Sequence, residues 1–163
     1  RWLIPVLACF HRERGQRFAV LHRRLGLPRD SLARALDAAM EAGWIVRNPG
    51  HGHPLRPEYV VTEAGRVAVA LADRLDQAIA RTGLAPASLG RWSLPVLRGL
   101  AVGHVRFNAL ARSLSPATPR ALSLALQALV ANDLVEREVE GGYPPTTHYR
   151  LTSRGEALAA ATR

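Results

Sequence analysis

The chain has 163 residues, 48% of them hydrophobic and 21% charged, with 22 Lys+Arg against 13 Asp+Glu and a formal net charge of +9. That balance excludes a disordered chain, the single cysteine excludes an internal disulfide, and the longest uninterrupted apolar run, 2–10, is under half the span that a bilayer demands. The positive charge favours a polyanionic partner and says little about fold. Every one of the basic residues is arginine, and in a chain also rich in Ala, Gly and Pro this reads as coding bias rather than functional choice. The first residue is Arg1 rather than Met, which reads as a start other than the native one.

In chain order, the apolar run 2–10 carries Pro5 early, where a helix tolerates a missing N–H. Phe18, Leu21 and Leu25 are spaced i, i+3, i+7, one face of a second short helix. Gly26-Leu27-Pro28 is a tight turn, after which Leu32, Leu36, Ala39 and Met40 mark a third helix ending at Gly43. The period then changes. Trp44-Ile45-Val46-Arg47 and Glu58-Tyr59-Val60-Val61-Thr62 read as two strands around a Gly/Pro loop, a hairpin. A long helix is expected over 63–81, with an apolar stripe of Ala64, Val67, Leu71, Leu75 and Ala78/Ile79. A linker follows over 82–90. That stripe needs a partner, either the rest of the chain or a second copy.

The pattern then returns. Arg1-Trp2-Leu3-Ile4-Pro5-Val6-Leu7 reappears as Arg91-Trp92-Ser93-Leu94-Pro95-Val96-Leu97, and Arg17-Phe18 as Arg106-Phe107. Leu32, Leu36, Arg47, Tyr59, Thr62 and Gly65 are matched by Leu122, Leu126, Arg137, Tyr149, Thr152 and Gly155. The offsets slip only where loops are expected, so the chain reads as a tandem duplication of a unit of about 75 residues. In the second copy Thr118-Pro119 is an N-cap with proline at the first helical position, and Leu122, Leu126, Leu129 and Val130 are the expected buried face. Strands are expected over 134–140 and 147–152, around Gly141-Gly142-Tyr143-Pro144-Pro145. Trp2, Trp92, Phe18 and Phe107 recur at equivalent places and are expected in the core.

Three helices followed by a hairpin make a winged helix-turn-helix. The fold class expected is therefore mainly α with small β-hairpins (α+β): a first unit over 1–62, a connecting helix and linker over 63–90, and a second unit with a C-terminal helix over 91–163. The succession Arg91-Trp92, Arg106-Phe107, Leu122-Ser123, Leu134-Val135-Glu136-Arg137 and Tyr149-Arg150-Leu151-Thr152, with Gly155 after it, resembles the HxlR-type winged helix-turn-helix transcriptional regulators. The resemblance implies a cytoplasmic bacterial DNA-binding regulator that works as a dimer of single units. Two units in one chain then suggest an intramolecular pseudo-dimer on double-stranded DNA.

In such a fold the N-terminal half of the third helix enters the major groove, and the wing reaches the flanking backbone. In the first unit the candidate contacts are Arg29, Ser31 and Arg34 on the helix, with Arg47, His51, His53 and Arg56 on the wing. Asp37 and Glu41 on the same helix face a polyanion badly. In the second unit they are Thr118, Arg120, Ser123 and Gln127, with Arg112 on the second helix and Thr146 and Thr147 on the wing. Arg pairs bidentately with guanine and Gln with adenine. Leu124 departs from the polar or basic residue expected there, and Glu136, Glu138 and Glu140 suit phosphates only if they point away.

His51-x-His53 lacks carboxylate or thiol support and reads as solvated wing histidines rather than a metal site. Cys9 among Val6, Leu7 and Phe10 reads as packing rather than a redox sensor. No phosphate-binding Gly-rich loop, His-Glu-x-x-His or Gly-x-Ser-x-Gly is present, so no enzyme and no cofactor are expected, while an unidentified small-molecule effector and a homodimer through the connecting helix stay open as partners. Two function classes stand. One is a sequence-specific DNA-binding regulator; the other is a tandem winged-helix protein-interaction module, motivated by Leu124 and the acidic strand.

Overall fold

The computed structural model describes residues 2–49, 57–85, 88–143 and 145–162. The chain divides into two units, Arg1–Gln77 and Ala78–Arg163.

The first unit runs α1 (Leu3–Ala8), β1 (Gly15–Gln16), α2 (Phe18–Leu25), α3 (Arg29–Glu41), β2 (Ile45–Asn48), β3 (Glu58–Val61) and the greater part of α4 (Gly65–Arg81). α1 stops short of the apolar run that contains it. The Phe10 and His11 N–H groups bond to the carbonyls of Leu7 and Ala8, a tightened last turn, and Phe10 is driven into the core. α2 ends at Gly26, whose φ of 61° and N–H bond to the His22 carbonyl make a left-handed cap. Leu32, Ala35, Leu36 and Ala39 are the buried stripe of α3. They meet Val6, Leu7, Phe10, Leu21 and Ile45 in one apolar cluster. Truncating a fully buried leucine such as Leu32 or Leu36 to Ala costs about 2–5 kcal/mol.

The hairpin sits about one residue C-terminal to the first expected run, and it gains a third strand that sequence did not announce. The antiparallel order is β1-β3-β2, with Gly15 opposite Val60 and Arg47 opposite Tyr59. β1 is only two residues long. Gln16 is buried there because its Nε2 donates to the Cys9 carbonyl at 3.1 Å and to Glu13 Oε2 at 3.1 Å.

The second unit runs from the end of α4 through α5 (Ser93–Ala101), α6 (Phe107–Ser113), α7 (Pro119–Ala131), β4 (Val135–Glu140), β5 (Thr146–Leu151) and α8 (Ser153–Ala160). Val96, Leu97, Leu110, Leu122, Leu126, Leu129, Leu134 and Leu158 are its buried side chains. β4 and β5 pair from Val135–Leu151 to Glu140–Thr146. A single bridge, Arg106 to His148, stands where the first unit has β1.

Both units lock the helix after the wing in the same way, which explains the Thr-x-x-Gly spacing. Thr62 Oγ1 accepts from the Gly65 N–H at 3.0 Å and donates to the Gly43 carbonyl at 2.6 Å. Thr152 Oγ1 accepts from the Gly155 N–H at 3.1 Å and donates to the Asp133 carbonyl at 2.8 Å. A Cβ on Gly65 would overlap the Trp44 carbonyl, and one on Gly155 the Leu134 carbonyl. Glycine is required there by close approach, not by φ.

Three expectations are corrected. The buried face of α4 is Gly65, Val69, Ala72, Leu75 and Ala78/Ile79. Ala64 is exposed before the helix and Val67 is 78% exposed, because small residues at 65 and 72 turn toward the core where the helix approaches closely. Val130 is 38% exposed, since Leu122, Ala125, Leu126 and Leu129 already complete the stripe of α7. Trp2, Phe18, Trp92 and Phe107 are half-buried rather than central. Trp2 and Phe18 pack against the edge of the first core, and the Arg91 guanidinium covers Trp92 at 5.4 Å from the ring centre.

Candidate nucleic-acid interface

The third helix of each unit offers its face according to which residues the core has claimed. On α3 the buried stripe leaves Arg29, Asp30, Arg34, Asp37 and Glu41 exposed. The first half of that face holds two cations and one anion, and Asp30 complements the helix N-terminus. The second half, Asp37 and Glu41, is acidic. Ser31 is only half-buried-accessible: it lines, with Trp2, Leu3, Arg34, Ala35 and Ala38, a groove of about 390 Å³ between α1 and α3.

On α7 the exposed residues of the corresponding face are Arg120, Leu124 and Gln127, with Ser123 half-buried beside them. Leu124 is 57% exposed. Positions 120, 124 and 127 are spaced i, i+4, i+7 and share one face. Thr118 caps the helix, its Oγ1 accepting from the Ala121 N–H at 3.2 Å, with Pro119 in the first turn. The acceptor side of Thr118 is thus used locally, and its hydroxyl proton is what it has left to offer a phosphate. α3 has no side-chain cap, because Pro28 occupies that position.

The wings differ in charge. Arg47 is exposed on β2, whereas His51, His53 and Arg56 lie outside the described residues. On β4, strand alternation places Glu136, Glu138 and Glu140 on one face and Val135, Arg137 and Val139 on the other. The glutamate face is also the face of Arg150, His148 and Thr146. Arg150 pairs with Glu138 at 3.2 Å, and His148 Nε2 lies 3.3 Å from Glu140 Oε2. His148 Nε2 is buried and makes no hydrogen bond among the described residues. The opposite face carries Arg137, Val139 and the half-buried Thr147, free of acids. Sequence reading placed Thr146 and Thr147 together; the register separates them.

Arg112 is exposed on α6, as are Arg17 and Arg106 at the N-caps of α2 and α6. Arg17, Arg106 and Arg137 were not singled out as contacts. The period-2 pattern Glu-Arg-Glu-Val-Glu was the available signal for Arg137. No ion pair among the described residues engages Arg29, Arg34, Arg120 or Arg137.

Cys9 is buried, and its Sγ donates to the Pro5 carbonyl at 3.3 Å. Burial pushes its thiol pKa up, against a smaller lowering by Arg24, so the unreactive protonated form is favoured. Among the described residues no three His, Cys, Asp or Glu side chains are grouped to hold a metal ion, and no helix is long and apolar enough to cross a membrane.

Three helices, a hairpin whose strands lead on from the third helix, and a closing helix define a winged helix-turn-helix. Residues 89–163 match the model of the HxlR-like helix-turn-helix family. An HTH-type transcriptional regulator of Synechocystis sp., itself uncharacterised, is 34% identical over 68 residues, covering 42% of this chain and 50% of that protein. The HTH-type transcriptional regulator YybR of Bacillus subtilis is 36% identical over 69 residues, covering 42% and 55%. The chain spans about half the length of these curated relatives. Among solved structures, diamide-treated YodB of B. subtilis is 29% identical over 48% of this chain and 85% of that one, with a TM-score of 0.44.

Proposed function

We propose that this chain is a DNA-binding transcriptional regulator in which two tandem winged helix-turn-helix units, 1–62 and 91–163, joined through 63–90, act as a pseudo-dimer on adjacent half-sites. The observation that carries the reading is the exposed face of each third helix, with Arg29 and Arg34 on α3 and Arg120 and Gln127 on α7, none tied up by an acid among the described residues. Arg120 and Gln127 supply the guanine and adenine forks. Leu124 between them meets a thymine methyl. Arg29, Arg34, Arg112 and Arg47 supply phosphate contacts, as do Thr118, Ser31 and Ser123 where their hydroxyls reach. Thr146, Thr147 and the wing residues His51, His53 and Arg56 extend the backbone contacts.

Because the two helices present different residues, the operator is asymmetric, with half-sites about one helical turn apart. Selection of bound sequences from random duplex DNA tests this. An asymmetric site whose enrichment is lost at one base position with Arg120→Ala supports it; enrichment of no sequence overturns it.

A second reading, a tandem winged-helix interaction module that does not read DNA, is favoured by one observation: Leu124 and Val130 are exposed apolar side chains on α7. Leu124→Arg separates the two. On DNA the added cation steepens the salt dependence by about one phosphate contact, whereas on a protein surface it removes binding.

A further inference from the structure

A second cavity in the first unit lies away from α3, at the base of the wing strand β3. Its volume is about 200 Å³, and it opens between the turn after α1 and the first two turns of α4. The floor is apolar: Phe10 and Val69 are buried, Val61 is half-buried at the end of β3, and Ala70 stands at the opening. The rim carries two guanidinium groups, Arg14 and Arg66, with His11 beside them.

Those three groups are not equally free. Arg66 is held by Glu63 at 2.8 Å, one turn back on the same helix. His11 Nε2 lies 3.8 Å from Asp73 Oδ2, and Asp73 also accepts from Gln77 at 2.7 Å. Arg14 has no ion-pair partner among the described residues. Its position is nonetheless fixed from behind, because its backbone carbonyl accepts from the Val61 N–H at 2.9 Å. Glu58, the nearest acid on the paired strand, lies over Gly15 on the neighbouring strand.

We propose that this cavity binds a small organic monocarboxylate with a compact apolar body, Arg14 receiving the carboxylate and Phe10, Val61 and Val69 the body. The chemistry selects that class on three grounds. One unpaired guanidinium matches one negative charge and forks onto a planar carboxylate. The apolar floor offers nothing to a fully hydrated ion such as phosphate or acetate. A volume below the usual range for drug-sized ligands limits the body to about one six-membered ring. The site uses no residue assigned to DNA contact, so it stands or falls independently of the proposed function. One of its walls is α4, the helix in which the boundary between the two units falls, which places such a ligand on the connecting element.

Benzoate is the probe, with benzamide as its neutral counterpart and acetate as charge without a body. Isothermal titration of the whole chain is expected to give saturable binding of one benzoate, at least about tenfold tighter than benzamide or acetate. Arg14→Gln, at an exposed position, removes that preference for benzoate over benzamide. Ala70→Phe, also exposed, fills the opening and abolishes binding of both. No saturable binding of benzoate, equal affinity for benzamide or acetate, or wild-type benzoate binding by either variant overturns the proposal.

Discussion

The two units share a frame and differ in what they show to solvent. In each, a threonine after the wing accepts from a glycine N–H three residues on and donates back to the end of the third helix, and the glycine presses on a backbone carbonyl. On that common frame α3 presents Arg34 where α7 presents Leu124, and α3 ends in Asp37 and Glu41 where α7 is uncharged. Framework and exposed surface are therefore set by separate residues. Core spacing and two glycines hold the frame, and a handful of outward positions define the surface.

The largest effect should come from breaking the frame. Gly155→Val or Gly65→Val places side-chain carbons where a carbonyl stands, and each is expected to cost more than about 3 kcal/mol, unfolding its own unit. Denaturant melts of the two variants check this, and if either is tolerated within about 1 kcal/mol the common frame is refuted for that unit.

The reading surfaces come next. Arg120→Ala is expected to weaken binding to a selected duplex by about 1–3 kcal/mol at one base position. Arg34→Ala should weaken it more uniformly across sequences and reduce the salt slope by about one. Anisotropy titrations at several salt concentrations separate the two, and identical profiles would erase the distinction between α3 and α7.

Thr118→Ala removes the cap that α3 lacks and should destabilise the second unit by about 1 kcal/mol, read as a shift in its denaturation midpoint.

The smallest effect is electrostatic. Burial, and then Asp73, raise the pKa of Asp76 above that of an ordinary aspartate. The folded state therefore holds this proton more tightly than the unfolded chain. Stability from this group falls as pH rises through the window above 3.8, the ordinary value, and is regained as pH falls. Asp76→Asn should thus raise the melting temperature slightly at pH 7, and the gain should shrink toward pH 4. A gain that does not change with pH contradicts the assignment.

Much of the frame was legible because it rests on periodicity. Leu32 and Leu36, Leu122 and Leu126, the cap at Thr118 and the turn at Gly43 carry local signals that tertiary contacts reinforce. What escaped had no local signal. β1 is two residues long and exists through its pairing with β3. The buried face of α4 is offset from its apparent stripe, because Gly65 meets the Trp44 carbonyl too closely for any side chain and Ala72 turns inward with it. Asp133 adopts a left-handed φ of 54° where the first unit has Gly43, and its carboxylate pairs with Arg154 at 3.2 Å. On the surface, the identities of Arg120 and Gln127 were visible, whereas the neutralisation of Glu138 by Arg150 required the strand register.

In the proposed function one chain carries both reading surfaces of one site. Sedimentation equilibrium of the chain with a duplex carrying its selected sequence tests it most directly. One chain per duplex, with protection of two half-sites about one helical turn apart, is the predicted result. Two chains per duplex on a palindrome, with only α7 required, would contradict it.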